Sequence, residues 1–204
     1  MAKYKIRKGR IAWYTQKYWK PVVVAVVGTT LMVSVIAFAG TKDESQANVQ
    51  APNESLPISE FQAFTPLESV PLDAELQEFI FGVAEDYGLE GELVMAVIGQ
   101  ESNYQHCALG DDGNAYGLMQ VHPSQHGDRM ERLKVSDLYD PYENVIVGVD
   151  YLAECIEEGG LEWGLHCYNG GAKYANALHE QGTISEYAEG VMMLAELLKG
   201  ESNE

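Results

Sequence analysis

Val94, Val97, Ile98 and Glu101 stand at offsets 0, 3, 4 and 7, so a glutamate shares the helix face that aliphatic side chains bury. It also falls in the last turn of a helix read over about 90–102, where unpaired backbone carbonyls carry partial negative charge. Burial and the helix C-terminus both disfavour the carboxylate, so both raise its pKa. A glutamic acid that keeps its proton near neutral pH can act as a general acid on a glycosidic bond. A single Glu at a helix end has an ordinary reading too, as an exposed cap or ion pair.

Three further stretches hold groups suited to gripping a ligand. "NAYGLMQVHP" sets small and flexible residues before Met119 and Gln120, which brings a thioether and an amide close to whatever the turn faces. "CYNGG" places Tyr168 and Asn169 before Gly170 and Gly171. Asn-Gly is also a common helix stop. Tyr187 lies on the apolar stripe of a C-terminal helix, where core packing alone would explain it.

Taken in order, Glu101-Ser102, Gly117-Leu118-Met119-Gln120 with Pro123, Tyr168-Asn169 with Gly170-Gly171, and Tyr187 with Val191 resemble the successive motifs of soluble-type, goose-lysozyme-like lytic transglycosylases. The resemblance covers roughly residues 75–195. It implies a lysozyme-like helical domain acting on peptidoglycan glycan strands, without a metal or organic cofactor. Glu101 would be the single catalytic acid and base. Ser102, Met119 and Gln120 would bind substrate, Tyr168 and Asn169 would wall the site near the glutamate, and Tyr187 would hydrogen-bond its carboxyl group. Two features depart from the family pattern. Cys167 stands where an alanine is usual, and the stretch from Glu101 to Gly117 is one residue longer, with Gly110, Asp111 and Asp112 where a serine is usual. The reaction implied is cleavage of the bond between N-acetylmuramic acid and N-acetylglucosamine with formation of a 1,6-anhydromuramoyl end. Two alternatives stand beside it: a hydrolytic muramidase using Asp111 or Asp112 as second carboxylate, and a silent membrane-tethered domain that binds glycan or serves an envelope-spanning machine.

The elements that must position these residues are mostly helices. Leu76, Phe79, Ile80, Val83, Ala84 and Tyr87 recur at helical offsets between a cap at Asp73 and a stop at Gly88. "DPYENVIVGVDYLAECIEEGG" starts with Asp140 as cap and Pro141 at the first helical position, buries Val145, Val149, Leu152 and Ile156, and ends at Gly159-Gly160. Further helices are expected over 161–169, 172–181 and 184–199, the last with Ile184, Tyr187, Val191, Leu194 and Leu198 in phase. No run alternates long enough to predict a strand. The spacing thus predicts a mainly α domain over 71–200, which the resemblance implies is the catalytic one.

Before it, residues 1–20 carry seven of the thirteen Lys and Arg and no acid, and residues 21–40 carry no charge at all. About 20 apolar residues suffice to cross a bilayer as a helix, and the basic flank predicts a cytoplasmic N-terminus with the rest exported. Ala37-Phe38-Ala39 fits a signal-peptidase site, which would release the protein after Ala39. The long basic region and long apolar stretch favour a retained single-pass anchor. Residues 41–70, rich in Ser, Glu, Gln and Pro, read as a flexible stalk. Beyond residue 40, six Lys and Arg face all thirty-one Asp and Glu, which argues against nucleic acid as a partner. Three cysteines lie there, and no spacing suits a structural metal. Cys155 and Cys167 would pair across the Gly159-Gly160 turn in an oxidising compartment, leaving Cys107 free; three unpaired thiols are the alternative.

Overall fold

The computed structural model describes residues 64–202. The predicted anchor over 21–40 and residues 41–63 of the predicted stalk lie outside the described residues, while Leu67 and Val70, within the predicted stalk, are buried in the core and bonded to the Gln77 amide. Among the described residues no helix is long and apolar enough to cross a membrane.

Helix α1, Ala74–Asp86, begins where Asp73 accepts a hydrogen bond from the Leu76 N–H at 2.8 Å. Such a cap satisfies a donor that the first turn leaves open. Helix α2, Gly91–Ser102, ends at Asn103 with left-handed backbone (φ 49°). Its residues Val94 to Ile98 are all fully buried, so α2 is the central helix of the core rather than one with a single apolar stripe. The first of its glycines explains how closely α1 approaches: a Cβ on Gly91 would lie 2.3 Å from the Phe81 ring.

A short hairpin follows, β1 Leu109–Gly110 and β2 Ala115–Tyr116, antiparallel with Leu109 opposite Tyr116. Sequence periodicity did not indicate it, because two-residue strands have no period. Helix α3, Pro123–Leu133, was also not predicted. It buries no residue fully, and its polar sequence PSQHGDRMERL holds no aliphatic stripe to find.

Helix α4, Pro141–Gln181, runs from the Asp140 cap, whose carboxylate accepts from the N–H groups of Tyr142 and Glu143 at 2.9 and 3.0 Å. Its backbone leaves helical geometry at Gly160 (φ 84°) and Gly171 (φ 79°), which divides it into the three predicted segments. The first break folds the helix back on itself. Gly164 then lies against Ile156, and Cys155 and Cys167 form a disulfide with Cα atoms 5.8 Å apart, while Cys107 is free and exposed. Helix α5, Glu186–Ser202, packs chiefly on α2. It starts two residues later than expected, and Ile184, placed by periodicity on its buried stripe, lies outside the helix and is 40% exposed.

Candidate active site

The site forms where the C-terminal end of α2 meets α5. Small residues make the approach close. A Cβ on Gly99 would stand 3.0 Å from the Leu194 side chain, and Gly190 faces the Gln100 amide. This brings the Tyr187 hydroxyl within 2.6 Å of Glu101 Oε1, to which it donates. Glu101 is half-buried. Burial pushes its carboxyl pKa up to about 7, and the hydrogen bond from Tyr187 offsets part of that rise by favouring the charged form. Burial also raises the Tyr187 hydroxyl, with Glu101 beside it acting in the same direction.

The Gly-Leu-Met-Gln turn is anchored by a residue that sequence reasoning missed. Asn144 is fully buried; its side chain accepts from the Met119 N–H at 2.8 Å and donates to the Tyr116 and Leu138 carbonyls at 2.7 and 2.9 Å. Gly117, at φ 74°, permits this, since a Cβ there would lie 2.3 Å from the Asn144 amide nitrogen. An amide beside the aliphatic run "VIVGV" was the available signal, because a buried amide needs partners. Gln120 follows with left-handed backbone (φ 46°), and its amide donates to the Gly117 carbonyl at 2.9 Å. The Tyr168 hydroxyl donates to the Met119 carbonyl at 2.7 Å, joining the middle segment of α4 to the same turn.

These elements enclose a cleft of about 510 Å³ with Glu101, Gln120, Tyr168 and Asn169 on its wall. Three of the residues expected at the site, Ser102, Met119 and Tyr187, do not line the cleft itself. The Ser102 hydroxyl is buried and donates to the Ile98 carbonyl at 3.1 Å, as a hydroxyl in a helix commonly does when no other acceptor is near. Met119 is fully buried, its sulfur packed over Gly148 where a Cβ would lie 2.5 Å away. It shapes the wall from behind, with its side chain against Gly148 and its carbonyl accepting from Tyr168, both of which line the cleft. Tyr187 touches Glu101 but is not among the described residues that line the cleft. His122, the N-cap of α3, and Gln125 and His126 within it also line the cleft, and Tyr151 comes from α4; none of these was expected. Asp111 also lines the cleft, its carboxylate 3.6 Å from His122 Nδ1. Among the described residues no three His, Cys, Asp or Glu side chains gather as a metal site would require.

The Tyr187 hydrogen bond gives a direct test of how Glu101 is tuned. Tyr187→Phe keeps the ring and removes the donor, so the Glu101 pKa should rise further. A hydrogen bond to a charged group contributes about 1.5–3 kcal/mol, which corresponds to a rise of roughly one to two pH units. Carboxyl titration followed by NMR in both proteins checks this, and an unchanged or lower pKa would contradict the assigned role of the hydroxyl.

A model of the family described as "Transglycosylase SLT domain" matches residues 78–189, more than half of the chain. The chain belongs to the transglycosylase SLT domain family. The matched stretch of this SLT domain runs from α1 into α5 and contains Glu101, the Gly-Leu-Met-Gln turn, Tyr168-Asn169 and Tyr187. Over 83 residues it is 30% identical to the membrane-bound lytic murein transglycosylase E of Buchnera aphidicola subsp. Acyrthosiphon pisum (strain APS), covering 37% of each chain. Its fold is similar to that of an inactive mutant of the lytic transglycosylase Slt from Pseudomonas aeruginosa, with a TM-score of 0.56 and 18% identity over 66% of this chain and 25% of that one. The chain therefore spans about a third of the curated relative and a quarter of the solved structure. The mainly helical, lytic transglycosylase-like fold agrees with the expectation drawn from the motifs.

Proposed function

We propose that this SLT domain is a peptidoglycan lytic transglycosylase that cleaves the β-1,4 bond between N-acetylmuramic acid and N-acetylglucosamine and leaves a 1,6-anhydromuramoyl end. The observation that carries the reading is Glu101, an acid pushed up to about 7 on the wall of an open cleft. A group with that pKa is substantially protonated at neutral pH and can also work as a base once ionised. Glu101 gives its proton to the oxygen between the two sugars as the C1–O bond breaks. The resulting carboxylate then takes the proton of the muramic 6-hydroxyl while O6 bonds to C1. The proton returns to Glu101, no water is consumed, and the nucleophile is already oriented within the substrate. No metal or organic cofactor enters the reaction. A tether through residues 21–40 would hold the domain on the outer face of the cell membrane, and the name of the Buchnera relative as membrane-bound supports that placement. Service to an envelope-spanning machine is compatible with such a tether.

Asp111 favours one second reading, hydrolysis, because it lines the same cleft as Glu101 and could direct water as a second carboxylate. Digestion of peptidoglycan in oxygen-18 water separates the two. Anhydromuramoyl ends without label are the expected product, and Asp111→Asn should cost less than about tenfold in rate without changing that product, since general base catalysis would contribute 10²–10⁴-fold. Labelled reducing ends, together with collapse of activity in a folded Asp111→Asn variant, would establish the hydrolase. A domain that binds glycan without cleaving it would yield neither end.

A further inference from the structure

The cleft that holds Glu101 also carries a tier of rings that the proposed reaction does not use. His126 from α3 stands with its ring centroid 4.5 Å from that of Tyr151, and Tyr151 stands 5.3 Å from Tyr168, which reaches the turn beside the acid. All three rings are half-buried and line the cleft. A ring that only filled core would be covered on every side.

The tier is held rigidly. The Tyr151 hydroxyl donates to the Cys167 carbonyl at 3.1 Å, and the Arg129 guanidinium lies 5.1 Å from the centre of its ring. Arg129 is itself fixed by hydrogen bonds to buried Asp150 and to Glu154, the latter at 2.9 Å. His126 sits at a break in α3, where its backbone (φ −117°, ψ 18°) leaves helical geometry one residue before Gly127.

We propose that the His126–Tyr151 pair is a carbohydrate-stacking platform, a subsite that receives one N-acetylated pyranose ring against the half-buried imidazole. This rests on the reading of the cleft as a glycan site. A pyranose has an apolar C–H face and a polar rim, which suits an aromatic face set in a polar cleft. The charges on the walls point to the sugar rather than to an anionic group of the substrate. Glu101 and Asp111 are acidic, and no Lys or Arg is among the described residues lining the cleft. Arg129, the nearest cation to the tier, is engaged by Asp150 and Glu154. The imidazole is also disposed to stay neutral. Burial lowers its pKa, the charges of Arg129 and His122 lower it further, and Glu154 and Asp150 oppose them.

The test is made on the full chain and uses tetra-N-acetylchitotetraose as the soluble probe, in a Glu101→Gln background so that nothing turns over. Adding His126→Ala should weaken binding about three- to tenfold, the range expected for loss of one aromatic contact. His126→Phe should restore it to within about twofold, because the face and not the ring nitrogens makes the contact. With Glu101 present, peptidoglycan cleavage by His126→Ala should fall through a higher KM rather than a lower kcat. Unchanged probe affinity in His126→Ala would overturn the platform, as would a His126→Phe variant that binds as weakly as the alanine one. Cleavage by the native chain without any probe binding in the Glu101→Gln parent would overturn the platform alone. Absence of cleavage by the native chain would remove both the platform and the function it rests on.

Discussion

Glu101→Gln should reduce glycan cleavage by at least about a thousandfold, since general acid–base catalysis contributes 10²–10⁴-fold and here one side chain serves both steps. The amide keeps the shape and can still accept from Tyr187, but it has no transferable proton. The same variant should gain stability in a pH-dependent manner. In the folded protein Glu101 titrates at about 7 against an ordinary value of 4.5, so folding favours its protonated form. Stability from this group is fully present below about 4.5 and is lost as pH rises through about 7. At about 1.4 kcal/mol per pH unit, holding the carboxylate buried costs up to about 3 kcal/mol at pH 8. Glu101→Gln removes that cost. Thermal unfolding should therefore show the variant more stable than the native chain at pH 8 and nearly equal to it at pH 4.5. A variant that cleaves peptidoglycan near the native rate would sink the catalytic assignment. One that is no more stable at pH 8 would show that the acid is not held as described.

How much of this was legible in the sequence depends on what each residue answers to. Helices α1 and α5 bury apolar residues at regular offsets, which periodicity reports directly, while α2 shows instead as an unbroken apolar run. The breaks in α4 were legible because Gly160 and Gly171 adopt backbone conformations that side chains disfavour. Glu101 stood out since a carboxylate on an aliphatic face is costly unless it serves a purpose. Helix α3 was not legible. Its place is fixed by ions on another helix, and nothing in PSQHGDRMERL announces Asp150. Ser102 and Met119 failed for the opposite reason. Their motif neighbours line the cleft, but their own side chains turn into the helix and the core, a direction that spacing alone does not fix.

Asp150→Ala should destabilise the domain by about 3 kcal/mol, the lower end of the range for breaking a buried charge pair. Asp150 is 7% exposed and accepts from Arg129, from Arg132 at 2.6 Å and from the Tyr87 hydroxyl at 2.9 Å. Its removal leaves the largely buried Arg129 guanidinium with Glu154, whose carboxylate is mostly in solvent and compensates little. Arg132, about half exposed, adds little because water can replace its partner. For a domain of this size the loss corresponds to a fall in melting temperature of roughly 10 °C at neutral pH. The pH dependence has a definite sign. Burial alone would raise the Asp150 carboxyl, but the hydrogen bond from Arg132, the charge of Arg129 and the Tyr87 hydroxyl outweigh it and hold the pKa below 3.8. The stabilisation is thus present above 3.8 and is lost as pH falls through the lower folded value, so the gap between native and variant proteins should close in strong acid. Because this cluster ties α3 to α4, the variant should also loosen the wall that carries His122, Gln125 and His126, which amide hydrogen exchange would report as faster opening of residues 123–133 than of α2. A melting temperature within about 1 °C of the native value, or exchange that accelerates equally in α2 and α3, would show that the helix is held by something other than Asp150.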